Sequence, residues 1–343
     1  MTKKTRKRVL GALFYFAVLA LTLWYVFQDK SLSQVAYYLS EAQWGYAAIA
    51  VAAVVAFILG ESVALCYLLR SLGTRAGFGH CCMFSFIGFF YSAITPSASG
   101  GQPMQVLYMH RDGIPAAVST VVLVIVTIVY KMVLVIVGLA VTILRPPAII
   151  RCLGDVEPLI YLGVALNVIV VSLLLLAVFR PQLLERLARW LLRVVQKIRP
   201  FHNPQQVMDR VQNSLNQYRG TADFFKREPR IIITVFLITL VQRFCMFSVV
   251  WFTYLAFGLS GESAVTVVLL QAMISVAVDM LPLPGGMGIS ETLFTVFFTP
   301  VFGPDFVLPG MIVCRGISYY TQLLISAIMT GVAQFVFRDK SKQ

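Results

Sequence analysis

The sequence predicts an all-α polytopic membrane protein with about six transmembrane helices and two re-entrant helical hairpins in an inverted-topology repeat. Of its 343 residues, 59% are hydrophobic and 13% are charged, whereas a soluble domain is about half apolar and about a quarter charged. Apolar segments long enough to cross a bilayer recur along the chain, and two further apolar segments are broken by Gly and Pro. We expect residues 1–343 to form one integral membrane domain.

Six apolar segments are predicted to span the membrane, since about 20 apolar residues in a helix cross the hydrocarbon core. They are residues 9–27, 44–69, 114–144, 158–179, 231–257 and 306–337. The basic start MTKKTRKR and the first apolar run resemble a signal peptide. That run is too long, and QDKS follows it without a small-residue cleavage site, so we predict a retained first span.

Two apolar segments, 81–109 and 265–302, are interrupted by TPSASGGQP and LPLPGGMGIS. A continuous helix cannot pass through either interruption, and unpaired backbone is not tolerated in lipid unless protein or water covers it. A hairpin that enters, turns inside the protein and returns to its own side meets both conditions. The predicted first tip contains Ser97, Ser99, Gly100, Gly101 and Gln102, and the second contains Pro284, Gly285, Gly286, Gly288 and Ser290.

The tip glycines have two compatible roles: they permit tight turns and close packing, and they leave backbone N–H groups bare for a phosphate. Thr95 or Ser97 is a candidate cap for the helix that returns from the first tip.

The basic residues are distributed unevenly between the two predicted sides. With both termini in the cytoplasm, 22 of the 28 Lys and Arg residues are cytoplasmic and three are external, as the positive-inside rule requires. The insert 180–230 holds eleven basic and four acidic residues, and its segment 183–198 has the pattern of an amphipathic surface helix. The net charge of +13 therefore predicts contact with an anionic membrane surface and not with nucleic acid.

Two units of the chain share one order of features. Unit 44–144 carries Glu61, a Gly-Gly hairpin forty residues later and Lys131 thirty residues after that; unit 231–337 carries Arg243, a Gly-Gly hairpin forty-three residues later and Arg315 twenty-nine residues after that. In the topology predicted above, the first hairpin opens to the cytoplasm and the second opens to the outside. Inverted repeats of this kind place a transporter's substrate site near the bilayer midplane.

Ionisable residues at membrane depth are costly, at about 2.5–3.5 kcal/mol each on insertion scales, so they pair or face water. Six are predicted there: Glu61, Lys131, Arg243, Asp279, Glu291 and Arg315. They form structural ion pairs, or the cations contact a lipid headgroup phosphate; Lys131 and Arg315 are the leading candidates because their positions match. Glu61 and Glu291 either hold those cations or titrate to couple transport to protons, and Asp279 is placed near the outer interface.

No motif indicates catalysis or a bound cofactor. The three histidines and six cysteines lack the spacing of metal ligands, so we expect no metal, no cofactor and no catalytic residue.

The motif ITPSASGGQPMQVLYM, the span with Lys131, and LPLPGGMGISE followed by Arg315 resemble the membrane domain of bacterial lysylphosphatidylglycerol synthase/flippase proteins. The resemblance implies a multi-pass protein of the bacterial cell membrane that moves an anionic or aminoacylated phospholipid, such as lysyl-phosphatidylglycerol, between leaflets. Such movement contributes to resistance to cationic antimicrobial peptides.

Full-length members of that family also carry a soluble domain that transfers lysine from lysyl-tRNA. This chain ends at RDKSKQ, six residues past the last predicted span, so we expect a stand-alone member without that domain. Two alternatives stay open: a phosphatidylglycerol lysyltransferase, as the family label suggests, and an accessory protein of a polyprenyl-phosphate or glycosyltransferase pathway. A homo-oligomer is also compatible with the sequence.

Overall fold

The computed structural model describes residues 37, 40, 42–74, 76–95, 98–153, 156–180, 182, 204–279, 281, 286 and 288–337. All regular secondary structure in these residues is helical. The helices are α1 (Trp44–Ser71), α2 (Phe78–Ala93), α3 (Gly101–Arg111), α4 (Ala116–Leu144), α5 (Pro147–Leu153), α6 (Glu157–Phe179), α7 (Pro204–Arg227), α8 (Pro229–Ala256), α9 (Ala264–Val278), α10 (Ile289–Arg315), a π-helix (Gly316–Thr321) and α11 (Gln322–Val336).

Four predicted spans coincide with single long helices, namely α1, α4, α6 and α8, and each is long and apolar enough to cross a membrane. The predicted span 306–337 is built from the end of α10, the π-helix and α11. A helix is the form in which an isolated segment satisfies its backbone hydrogen bonds in lipid, which is why apolar length alone locates these elements. The all-α polytopic prediction is confirmed. The predicted first span and the amphipathic segment 183–198 lie outside the described residues.

The first hairpin consists of α2 and α3, which pack against each other through glycine. A Cβ added at Gly88 would lie 2.4 Å from Nε2 of Gln105, and one added at Gly101 would lie 2.1 Å from Oγ of Ser92. A larger side chain at Gly101 would force the two arms apart, because its Cβ would also lie 2.6 Å from the carbonyl oxygen of Gly88, whereas one at Gly88 would displace the Gln105 amide. The Gly-Gly break predicted from the sequence therefore also sets the close approach of the arms.

Thr95 closes the turn of this hairpin. Its hydroxyl donates to the carbonyl of Tyr91 (2.6 Å) and accepts from the N–H of Gly100 (2.8 Å). The hydroxyl therefore pairs one of the backbone groups that the helix break would otherwise leave bare. Gly100 is the N-cap of α3 and no described side chain caps this helix, so the predicted capping by Thr95 is wrong; Ser97 lies outside the described residues.

The second hairpin consists of α9 and residues 289–302, the first arm of α10. The backbone of Gly303 is not helical (φ 76°, ψ 164°), and the chain folds back there. Glu291 and Arg315 would be about 36 Å apart in one straight helix, yet their side chains are 2.6 Å apart. A Cβ at Gly310 would likewise meet the Phe302 ring at 2.6 Å. Residues 304–315 therefore start a new passage, in agreement with the predicted end of the second broken segment at 302 and the predicted start of the last span at 306.

The bases of the two hairpins lie at opposite ends of the bundle. The Phe337 ring, at the end of the last passage, lies 5.1 Å from His80 at the base of the first hairpin. The Phe306 ring, near the start of that passage, lies 5.8 Å from Phe257, just before the second hairpin. About thirty helical residues, or about 45 Å, separate the two ends. The hairpins thus enter from opposite sides, as predicted; the division into repeat units 44–144 and 231–337 stays a prediction.

Helix α6 packs closely against α9 of the second hairpin. A Cβ at Gly163 would lie 2.5 Å from the carbonyl oxygen of Val276, and Asn167 donates to the carbonyls of Gly163 (2.9 Å) and Val276 (3.4 Å). The two backbones therefore touch next to the hairpin tip.

We expect Gly163→Ala to lower the free energy of unfolding by about 1–3 kcal/mol, because the added methyl group overlaps backbone that cannot move aside. Gly220→Ala is the matched control, since a Cβ on this glycine of α7 meets nothing within 4 Å; it should be neutral or slightly stabilising. Thermal unfolding of both variants in detergent measures the difference. Equal midpoints would show that the α6–α9 contact is not tight.

Candidate functional site

Three long helices each pass from one buried apolar cluster into another, and each carries an ionisable residue at the boundary. The flanking residues are Phe57 and Leu65 around Glu61, Val133 and Val129 around Lys131, and Phe247 and Val235 around Arg243. The charges therefore lie at one level between two apolar halves. We call Glu61, Lys131, Arg243, Asp279, Glu291 and Arg315 the charged layer.

The two carboxylates that flank the second hairpin tip each bind one cation. Lys131 Nζ lies 2.7 Å from Oδ2 of Asp279, which follows the last residue of α9. Arg315 binds Glu291, in the first turn of α10, through Nε (2.8 Å) and a terminal nitrogen (2.6 Å) to the same oxygen. Ser290 donates to the other oxygen of Glu291 at 2.9 Å. The second tip is thus fixed to α4 on one arm and to the last passage on the other.

The first hairpin tip also contacts α4 and the last passage, about one helical turn away from Lys131 and Arg315. Gln102, at the start of α3, hydrogen-bonds to Thr127, four residues before Lys131. The hydroxyl of Tyr319, four residues after Arg315, donates to the carbonyl of Ala93 at the end of α2 (3.0 Å). Four residues correspond to about 6 Å of helix. The two tips therefore approach each other across the charged layer.

Glu61 is connected to the first hairpin and not to Lys131 or Arg315. Its Oε1 accepts from Nε2 of Gln105 (3.1 Å), and the same nitrogen also donates to the carbonyl of Phe84 (3.1 Å). Arg243 faces Glu61 electrostatically, yet the two residues form no ion pair. Glu61 thus has a neutral amide as its direct partner, although its side chain is buried.

Arg243 is held by aromatic rings. Its guanidinium carbon lies 3.8 Å from the centre of the Tyr130 ring and 5.0 Å from that of Phe57. Its Nε is buried and has no hydrogen-bond acceptor, and the same holds for Nε2 of the neighbouring Gln242. Cation–π contacts stabilise a desolvated guanidinium without using its N–H groups. Gln242 lies beside Glu61, so Nε of Arg243 is the donor at this level that no described acceptor binds.

Lys131 and Arg315, the predicted phosphate-binding pair, are both engaged by carboxylates. The prediction that Glu291 holds one of them is confirmed, whereas the prediction that Glu61 holds the other is wrong. Asp279 takes that role, so its predicted place near the outer interface is also wrong. The misassignment arose because Asp279 ends an apolar helix, which from sequence alone resembles an interface position.

The tip residues divide between the described and undescribed parts of the chain. Gly100 and Gly101 form the close turn, Gln102 binds Thr127, and Ser99 is exposed. Gly286 has a left-handed backbone (φ 67°), as a tight turn requires. Ser97, Pro284 and Gly285 lie outside the described residues. Within the described ranges, no three His, Cys, Asp or Glu side chains come together as metal ligands.

The chain matches the family described as "Lysylphosphatidylglycerol synthase TM region" over residues 9–326. The chain belongs to this family. The match includes both hairpins and every residue of the charged layer. A curated relative, a UPF0104 membrane protein of Archaeoglobus fulgidus, is 25% identical over 288 residues, which are 80% of this chain and 84% of the relative. The family and the long apolar helices together establish a multi-pass membrane protein.

Four polar residues of the site were not predicted from the sequence, because the prediction covered the hairpin tips and the charged residues at membrane depth. Gln105, Thr127 and Gln242 interrupt apolar stretches, and Tyr130 precedes Lys131. A polar side chain inside a membrane helix is itself a signal of a buried partner. Tyr130 gave no comparable signal, because an aromatic residue is ordinary in an apolar span.

Proposed function

We propose that this protein translocates an anionic or aminoacylated phospholipid, such as lysyl-phosphatidylglycerol, between the leaflets of a bacterial cell membrane. The observation that carries the proposal is Arg243. Arg243 is a cation of the charged layer that forms no ion pair with any described carboxylate, and its Nε has no hydrogen-bond acceptor. A headgroup phosphate supplies both a counter-charge and acceptor oxygens.

The surroundings of Arg243 favour a lipid over a soluble anion. On the same turns of α8, a groove of about 390 Å³ is lined by Leu240, Val241, Phe244, Cys245 and Ser248. Val241 is 65% exposed on this outer face. The acyl chains of a phospholipid can therefore lie against this apolar face of α8, on the turns that carry Arg243.

The hairpins supply the alternating access. Each tip covers the charged layer from its own side, and side-chain contacts of described residues tie each tip to both α4 and the last passage. Moving one hairpin outward opens the layer to that side while the other hairpin keeps it closed. Broken helices that meet at a midplane site work in this way in other secondary transporters.

The aminoacylated substrate rests on the family, because an amine-bearing headgroup needs carboxylates as well as a cation. Asp279 and Glu291 lie at the second tip but are already paired with Lys131 and Arg315, so the aminoacyl part of the proposal rests on the family alone, while Arg243 provides the phosphate contact. Resistance to cationic antimicrobial peptides would follow from placing such a lipid in the outer leaflet. The positive-inside bias supports cytoplasmic termini.

Reconstitution in proteoliposomes tests the proposal. We expect the protein to move fluorescent phosphatidylglycerol and lysyl-phosphatidylglycerol to the opposite leaflet at rates at least about tenfold above those of fluorescent phosphatidylcholine, because about 1.4 kcal/mol of extra headgroup binding is enough. Protein-free vesicles and vesicles with heat-denatured protein are the controls. Equal rates for all three lipids would contradict a headgroup site, and no movement above the controls would contradict translocation.

A further inference from the structure

The two glutamates of the charged layer have different surroundings, although the sequence treats them alike. Glu291 accepts from Arg315 at 2.6–2.8 Å and from Ser290 at 2.9 Å. Glu61 accepts from the neutral amide of Gln105 at 3.1 Å and forms no direct ion pair among the described residues. Only Glu61 therefore depends on a cation that it does not touch.

The side chains that act on Glu61 come from two helices. Gln105 lies on α3, and Gln242 and Arg243 lie on α8. Lys131, on α4, is repelled electrostatically by Arg243 and is bound to Asp279. The helix α2 contributes the Phe84 carbonyl, through Gln105, and no charged side chain. Among the described residues, Arg243 is thus the one cation that acts on Glu61.

An anionic headgroup on Arg243 would change this balance. The phosphate would place a second negative charge beside Arg243, so one cation would face two anions in a buried site. A buried carboxylate without a counter-charge becomes neutral by binding a proton. The charged layer, with three acidic and three basic residues, would then remain neutral when the lipid is bound.

We propose that binding of an anionic lipid headgroup at Arg243 is coupled to uptake of one proton by Glu61. The inference rests on the proposed function, because it needs the headgroup at Arg243. The proton comes from the aqueous phase and is held on the Glu61 carboxyl group, and it is released when the headgroup leaves. Glu61 is a positioning residue in this scheme: it acts on the lipid through Arg243.

The sign of the pH dependence follows from linkage. If binding takes up a proton, affinity for the anionic lipid rises as pH falls, by at most about tenfold per pH unit for one proton. Short-chain phosphatidylglycerol is a suitable probe, because its phosphodiester does not titrate near neutral pH. Inorganic phosphate and short-chain phosphatidylcholine serve as the other two ligands, to separate a lipid headgroup from free phosphate and from a zwitterionic lipid.

The experiment measures binding of these ligands to the purified full chain in detergent between pH 5 and pH 9, with wild type, Glu61→Gln, Glu61→Asp and Glu291→Gln. We expect wild-type affinity for phosphatidylglycerol to fall about tenfold per pH unit over part of this range. Glu61→Gln should bind with pH-independent affinity equal to or above the wild-type value at low pH. Glu61→Asp should restore a pH dependence.

A second measurement needs no variant. Adding phosphatidylglycerol to wild type in weakly buffered solution should take up close to one proton per bound lipid, read with a pH-indicator dye. Glu157→Gln, at the end of the bundle away from the first hairpin, is the control for a general loss of a carboxylate and should behave as wild type.

The outcomes separate the two proposals. Binding that is selective for phosphatidylglycerol but independent of pH, without proton uptake, overturns the coupling and leaves translocation standing. Loss of pH dependence in Glu291→Gln and not in Glu61→Gln overturns the choice of residue. Absence of binding to every ligand, or binding of inorganic phosphate alone, overturns the lipid site and the coupling together.

Discussion

Replacing Arg243 with Gln should lower transport of an anionic reporter lipid by about thirtyfold or more. The estimate corresponds to about 2 kcal/mol, which is typical of one hydrogen bond to a charged group. Gln keeps a polar group at the position but removes the charge and the planar fork that binds phosphate. Arg243→Lys keeps the charge and the contact with Tyr130, so it should retain part of the activity. The readout is the initial rate in proteoliposomes.

A loss of activity in Arg243→Gln has a second explanation, since this change also leaves Glu61 without a facing cation. The double variant Arg243→Gln with Glu61→Gln removes that imbalance. We expect it to unfold at the wild-type temperature and still to transport slowly. Recovery of wild-type transport in the double variant would show that Arg243 only neutralises Glu61 and does not bind the headgroup.

Breaking the ion pair between Lys131 and Asp279 should produce the largest loss of stability among changes in the charged layer. The two side chains are only 7% and 12% exposed, and their charged atoms are 2.7 Å apart. Removing one partner of such a buried pair costs about 3–5 kcal/mol, because the other charge stays buried without its counter-charge. We expect Asp279→Asn to show this loss in thermal or denaturant unfolding in detergent.

The double variant Lys131→Met with Asp279→Asn should recover most of that stability, since a neutral pair of similar size avoids the desolvation of two charges. The exposed pair of Arg145 and Glu157, with a separation of 3.0 Å, is the matched control. Glu157→Gln should cost less than about 1 kcal/mol. An equally small effect of Asp279→Asn would mean that water enters the charged layer freely.

Together these two predictions divide the charged layer by role. Lys131 and Arg315 hold the second hairpin tip in place, so their loss should affect folding and opening. Arg243 is held by rings and keeps donors free, so its loss should affect the substrate. This division reverses the ranking that the sequence favoured, in which the matched cations Lys131 and Arg315 were the first choice for the phosphate.

The spans and the two breaks could be predicted because they depend on local composition. Each apolar residue contributes separately to membrane insertion, and each Gly or Pro disfavours a helix at its own position. The fold-back at Gly303 belongs to the same class, since Gly-Pro marks it. The π-helix at Gly316–Thr321 could not be predicted from local composition, because Tyr319 in that segment hydrogen-bonds to Ala93, 226 residues away.

The sequence by itself determined that this protein spans a membrane, where its helices break and which ionisable residues lie at depth. Only the tertiary structure decided how those residues pair: Asp279 with Lys131, Glu291 with Arg315, and Arg243 with aromatic rings. The physical reason is that the free-energy cost of burying a residue depends on that residue alone. Pairing instead depends on distances of a few ångströms between side chains far apart in the sequence, such as Lys131 and Asp279, which are 148 residues apart, and these distances exist only once the helices have packed.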